Sequence, residues 1–263
     1  MNPEDRRKQI AVLVRSSERV SVDQLHQRLG CSRETIRRDL QILEDRGLIR
    51  KYHGGATALR RAPLIRDTEG PFTARMHENT AGKLRMASLA AALFDPGDSL
   101  LIDTGTTTVY LAEELARREG LTVITNSLTV ASLASGGRGA ECFVIGGKLR
   151  PEASELLGPL ALRQIANFKA RHAVITVGAV GPDAFMDFDV DEAEIARAMI
   201  AQAQTLTILA DSSKIGQRAL FEVCAVGEAD RLVTDAPLPP AMARTLADAG
   251  VEVLVAEGSD GPA

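Results

Sequence analysis

The sequence has no apolar run long enough to cross a bilayer, which excludes a helical membrane protein. It shows no signal-peptide pattern either, since its N-terminus is charged and leads into a helix. Cysteine is scarce. Cys31, Cys142 and Cys224 are scattered, with neither the even count of a disulfide framework nor the close spacing of a zinc site, so they are read as reduced thiols in a cytoplasm. Tryptophan is absent, hydrophobic residues make up 45% and charged residues 25%, the balance of a soluble globular chain. Neither a metal nor a cofactor is expected. At 263 residues the chain has room for a small module beside a larger one, although length alone leaves a single domain open.

The net charge of −4 conceals a division. Residues 1–61 hold 14 Lys and Arg against 8 Asp and Glu, net +6, and the remainder holds 17 against 27, net −10. A basic head on an acidic body suits a DNA-binding module joined to a non-binding one, but chance clustering on a solvated surface explains charge alone equally well. Motifs have to decide.

Pro3 to about Ser16 carries Ile10, Leu13 and Val14 on one face, the pattern of an amphipathic helix, and Val20 follows as a brief extended spacer. Ser21-Val22-Asp23-Gln24 matches a capping box, Val22, Leu25 and Leu29 form one apolar face, and Gly30 supplies a left-handed stop. Ser32 then caps a third helix whose Ile36, Leu40 and Leu43 face inward. The spacing is that of a helix-turn-helix, in which the second helix of the pair enters the major groove. Gly47 to Ala56 reads as a strand, a Gly-rich reversal and a return strand, that is, a wing. The residues expected at DNA are Ser21, Ser32, Arg33, Glu34, Thr35, Arg37 and Arg38, with Arg50, Lys51, Tyr52 and His53 from the wing. A protein-binding three-helix module is the competing reading, and the wing and arginine face weigh against it.

Thr35-Ile36-Arg37-Arg38-Asp39-Leu40, with Leu48-Ile49 and His53-Gly54-Gly55-Ala56, resembles the N-terminal signature of the DeoR family of bacterial sugar-metabolism repressors. Both halves of the chain carry motifs of that family. Residues 57 to about 77 lose periodicity and contain Arg60, Arg61, Pro63, Gly70 and Pro71, the composition of a linker. The domains expected are therefore a winged helix-turn-helix at 1–57, a linker at 58–77, an effector-binding α/β domain at 78–258 and a tail at 259–263.

Beyond Glu78, apolar strands at 99–103, 122–125, 142–145, 173–177, 206–210, 231–234 and 251–255 alternate with helical stretches. That alternation predicts a mainly parallel sheet covered on both faces, with ligands beyond the carboxyl ends of its strands. Asp103, Gly105, Thr106, Thr107 and Thr108 fall at one such end, where a helix N-terminus suits a phosphate. The loop lacks the Gly-Lys-Ser/Thr of a Walker motif and the dinucleotide fingerprint, and alone it reads equally as an ordinary capped turn. Asn126 and Ser127, Gly146, Gly147 and Lys148, Gly178, and the run from Asp211 to Lys214 end other strands, and together these turns predict a rim around a small polar ligand.

The resemblance implies an effector domain related in fold to pentose-phosphate isomerases. Those enzymes keep an acidic cluster in the loop that here reads Gly178-Ala179-Val180-Gly181-Pro182, and this loop has no acid before Asp183. No catalytic residue is therefore assigned, and an isomerase-like enzyme stays as the alternative. Glu192 corresponds to the family's recurrent acid and is expected to accept hydrogen bonds from ligand hydroxyls, with Lys214 at the ligand's anionic group. Phe188-Asp189 and Thr234-Asp235-Ala236-Pro237 look most like the glycerol phosphate and sulfosugar branch, while Gly82 replaces the family's usual glutamate before Lys83. With the resemblance, the expectation is a cytoplasmic repressor of a carbohydrate or polyol operon. Its partners are double-stranded operator DNA, a phosphorylated sugar or polyol, and further copies of itself, as a dimer or a tetramer.

Overall fold

The structure, a computed structural model, describes residues 6–7, 9–10, 13–14, 20–45, 49–52, 54–58 and 69–257. His53, half of the expected linker (59–68) and the tail at 259–263 lie outside them. The chain divides into two compact units, Met1–Pro63 and Leu64–Ala263.

In the first unit Arg6, Arg7, Gln9, Ile10, Leu13 and Val14 are helical. They are followed by β1 (Val20–Ser21), α1 (Val22–Leu29), α2 (Arg33–Asp45), β2 (Ile49–Tyr52) and β3 (Gly55–Ala58). The caps form as their residue types dictate: Ser21 and Gln24 satisfy each other's backbone donors, and Gly30 ends α1 at φ 65°. Val20, read as a spacer, is instead a strand, paired antiparallel with Ala56 of the wing in a sheet of order β1-β3-β2. Ile10, Val14, Val22, Leu25, Ile36, Leu40, Leu43 and Ile49 form one small core beneath it. Asp39 sits on the buried face of α2, three residues after Ile36, and binds the guanidinium groups of Arg6 at 2.6 Å and Arg7 at 3.1 Å.

The second unit begins, within the described residues, with α3 (Phe72–His77), where the sequence predicted linker. Phe72 and Met76 pack against a core cluster, so the short helix belongs to the sensor body. Then come α4 (Thr80–Ala91), β4 (Ser99–Ile102), α5 (Thr106–Leu115), β5 (Thr122–Thr125), α6 (Leu128–Ala134), β6 (Glu141–Val144), β7 (Lys148–Arg150), β8 (Glu155–Leu157), α7 (Pro159–Ile165) and β9 (Ala170–Thr176). The chain continues with β10 (Ala179–Val180), β11 (Ala184–Asp187), α8 (Val190–Ile200), β12 (Ala203–Leu209), a 3-10 turn (Ser212–Lys214), β13 (Phe221–Ala225), β14 (Arg231–Thr234), α9 (Pro240–Asp248) and β15 (Glu252–Val255).

Seven of these strands make a parallel sheet of order β15-β14-β12-β9-β4-β5-β6, and they are the seven that the apolar runs predicted. Both faces are covered. Leu101, Ala173, Ile175, Leu206 and Ile208 turn to one cluster with α7, α8 and α9, whereas Leu100, Ile102, Val174 and Leu209 turn to another with α4, α5 and α6. A two-strand hairpin, β7-β8, and a small antiparallel sheet, β10-β11-β13, were not foreseen, being too short to show a period.

From β4 the chain moves outward to β5 and β6, then returns to the other side of β4 to form β9 and continues outward through β12. The loops after β4 and β9 therefore leave in opposite directions. A crevice opens between them at the carboxyl edge.

Gly55 is a test of the wing. A Cβ there would fall 2.3 Å from the Val20 carbonyl oxygen and against the Tyr52 ring, so Gly55→Ala should cost about 1–3 kcal/mol. Urea unfolding of the full chain should show that loss, together with weaker DNA binding.

Candidate functional site

In the first unit the sequence-predicted residues divide by what holds them. Ser32 accepts the Thr35 amide at 3.2 Å, and its hydroxyl lies 2.9 Å from that of Thr35, so this pair fixes the start of α2. Arg33 pairs with Asp23 of α1. Glu34 lies 3.8 Å from Arg37 and 3.9 Å from Arg38, distances at which exposed ions gain little, and both guanidinium groups project into solvent. On the wing Arg50 is exposed, whereas Lys51 is held back against α2 by Gln41 and Glu44. Ser21 is the cap of α1, and Tyr52 lies over Gly55. The face this unit offers is cationic, built on a helix fixed from beneath by Asp39.

In the second unit a cavity of about 310 Å³ opens at the crevice. Gly105, Thr106, Thr107, Gly178, Glu192 and Lys214 line it, as the sequence predicted of a common rim. Thr106 and Thr107 begin α5, whose first-turn amides have no acceptor within the helix. Gly178 gives room to the Phe188 ring, which would stand 2.4 Å from a Cβ at that position.

Other predicted residues stand elsewhere. Asp103 is bound to Thr176, accepting its amide at 2.9 Å, and burial raises its pKa despite those bonds. Thr108 is buried, with its hydroxyl accepting the Gly105 amide at 2.8 Å, and Ser127 caps α6. Gly146, Gly147 and Lys148 do not line this cavity, because they follow β6, the outermost strand, separated from β4 by β5. The Gly146 amide donates instead to Gln164, and Gly147 packs on Leu157 and Ala161.

Sequence reasoning missed the charges that dominate the cavity. Arg75, from the supposed linker, lines it, as do Glu69 and Lys83, and they stand beside Asp211 of the expected rim. Lys83 donates to the Arg75 carbonyl, and burial lowers its pKa. Gly82 has its own reason: a Cβ there would collide with Asn79 and Asp235, which bond to each other at 2.8 Å. The loop at Gly178 carries no acid of its own; Asp187 reaches the cavity from β11, and Glu192 reaches it from α8 as expected.

Behind them lies a compartment of about 10 Å³, room for one water, lined by Asp103, Thr104, Asn126, Glu155, Asp187 and Glu192. The Thr104 hydroxyl and the Asn126 amide oxygen are buried there and have no hydrogen-bond partner among the described residues. Arg150, on β7, is the main counter-charge. It reaches Glu192 at 2.8 Å, Glu155 at 3.1 Å, Asp189 at 3.2 Å and Asp191 at 3.4 Å. One guanidinium cannot neutralise four carboxylates, of which Glu155 is buried and Asp191 exposed. Loss of water, with repulsion between neighbours, raises Glu155 to about 8, Glu192 to about 7 and Asp187 to about 6. Asp189 caps α8 by accepting the amides of Asp191 and Glu192.

A winged helix with an exposed arginine face and an α/β body with a charged crevice define a DNA-binding regulator with a small-molecule sensor. Residues 6–62 match the DeoR-like helix-turn-helix domain and residues 78–236 the DeoR C terminal sensor domain. The chain is similar to the HTH-type transcriptional repressor CsqR of Escherichia coli (strain K12), 34% identical over 95% of this chain and 94% of that one. It is also similar to the glycerol-3-phosphate regulon repressor of the same strain, 29% identical over 96% and 99%. Among solved structures, ribose 5-phosphate isomerase A from Methanocaldococcus jannaschii covers 52% of this chain and 55% of its own, with 16% identity and a TM-score of 0.39. The chain belongs to the DeoR family, and it is a ligand-responsive, DNA-binding transcriptional repressor.

The raised acids give the sensor a pH dependence. A carboxyl whose pKa is higher folded than unfolded binds more protons in the folded state, so stability falls as pH rises from about 4.5 towards 8. Thermal unfolding followed from pH 5 to 8.5 should show that decline. Glu155→Gln should flatten it, each tenfold of retained proton affinity being worth about 1.4 kcal/mol.

Proposed function

We propose that this protein represses a carbohydrate or polyol operon from the cytoplasm and is released from DNA by a phosphorylated sugar or polyol bound in the crevice cavity. Residues 1–57 carry the operator contacts, the sensor body runs from α3 at Phe72 onward, and the segment between them is the junction. The observation that carries the reading is the make-up of the cavity: cationic Arg75, Lys83 and Lys214 beside a helix N-terminus, with acids and two unpartnered polar atoms behind. The cations and the first turn of α5 suit a phosphate. Glu192, Asp187 and the small compartment suit hydroxyls, and about 310 Å³ is at the small end of ligand pockets. Two relatives named as repressors, one of the glycerol-3-phosphate regulon, support the assignment.

The isomerase alternative needs a carboxylate free to move a proton. Here Asp103 is held by Thr176, Glu192 by Arg150 and Asp187 by the amides of Phe188 and Asp189, an arrangement that supports binding over turnover.

Release follows from linkage: the effector binds one state of the repressor better and the operator binds another. One recognition helix and wing cover a half-site, so the functional unit on a symmetric operator is at least a dimer.

Arg37→Ala should weaken operator binding about tenfold at fixed salt, with effector binding intact, measured by fluorescence anisotropy on labelled operator. Unchanged affinity would remove Arg37 from the interface. The double variant Lys214→Ala/Thr106→Ala should still bind operator but should no longer be released by any member of a panel of phosphorylated sugars and polyols. A normal response from the double variant would place the anion site elsewhere.

A further inference from the structure

We infer that Glu69 is an internal ligand of the sensor: its carboxylate occupies the anion position of the cavity, and an anionic effector binds by displacing it. This rests on the reading of the crevice as an effector site and adds how the site is regulated. Glu69 meets Arg75 of α3 at 2.8 Å through one oxygen and the Lys214 ammonium through the other. Arg75 also donates through Nε to the Gly70 carbonyl at 2.9 Å, so the segment is gripped by backbone as well as side chain. The three side chains are only 17%, 19% and 20% exposed, and all three residues line the cavity. Two cations from distant parts of the chain thus converge on one carboxylate at the place where the cavity is most suited to an anion.

The physical need is plain. Two half-buried cations without a counter-ion cost free energy, and Glu69 supplies the missing charge. Tethered close by, it competes as an intramolecular group at high effective concentration. A phosphate brings more charge and more acceptor oxygens than a carboxylate, so it can replace Glu69, which is then hydrated by water. Glu78, Asp187, Glu192 and Asp211 line the same cavity, so an incoming dianion also meets repulsion unless Arg75 and Lys214 are released to it. In the chain, Glu69 follows the first unit, which ends at Pro63, and precedes α3. Exchange at the cavity therefore acts on the segment that joins sensor to DNA-binding unit.

The test is equilibrium binding of inorganic phosphate, by calorimetry at constant pH and ionic strength, to the full-length wild type and to Glu69→Gln. The variant should bind phosphate about tenfold more tightly, because the competing charge is gone while the cations remain. That gain should vanish when Lys214→Gln is combined with it. Equal or weaker binding by Glu69→Gln overturns the inference, as does a gain that survives Lys214→Gln. Should Glu69→Gln not fold, Glu69→Asp, which withdraws the charge from Lys214, should show a smaller gain in the same direction, and no gain counts against the proposal. Phosphate bound equally by wild type and variant sinks this inference alone, whereas phosphate bound by neither sinks the anionic-effector reading with it.

Discussion

The parallel pairing of β4 with β9 is the constraint from which the sensor follows. Leu100, Leu101 and Ile102 of β4 stand beside His172, Ala173 and Val174 of β9, yet the chain leaves these strands towards opposite sides of the sheet. Two loops that diverge leave a space, and the start of α5 is turned towards it. The polar groups delivered to this edge beside β4, β9 and β12 share that space. The cavity is therefore a consequence of strand order before it is a matter of particular side chains.

Such a crevice concentrates charge where water is limited, and the structure shows how that is managed. Arg150 gathers Glu155, Asp189, Asp191 and Glu192, and the remaining excess of negative charge is reduced by raised proton affinity. The cations Arg75 and Lys214 are balanced by Glu69. Buried charges are seldom left alone because an unpaired one costs several kcal/mol. A binding site with both signs must thus carry its own counter-ions when no ligand is present, and those counter-ions are the natural points at which binding is felt.

The DNA-binding unit solves a smaller problem. Its core is one cluster under a three-stranded wing, too small to spare a residue, and Asp39 spends a position on α2 to fasten the N-terminal helical segment through Arg6 and Arg7. That leaves Arg37 and Arg38 on the opposite side, bound only loosely to Glu34. Loose pairing suits side chains that must exchange a protein partner for phosphate at little cost.

Much of this was legible along the chain. Helix caps at Ser21, Gly30 and Ser32, the apolar stripe of α2 and the seven parallel strands are local patterns, set by interactions within a few residues, and the sequence by itself determined them. Gly105, Thr106, Thr107, Gly178, Glu192 and Lys214 could be placed on one rim because parallel strands put all their carboxyl ends on one edge. The same rule put Gly146, Gly147 and Lys148 on that rim, since it fixes the edge but not the order of strands along it. Only the tertiary structure decided that β6 is outermost, that a stretch with linker composition forms α3, and that Arg150 and Glu69 enter the site. Arg150 meets Glu192 across 42 positions and Glu69 meets Lys214 across 145. No periodicity reaches so far. Such pairs are selected by the cost of leaving buried charge uncompensated, a quantity that exists only once the chain has folded.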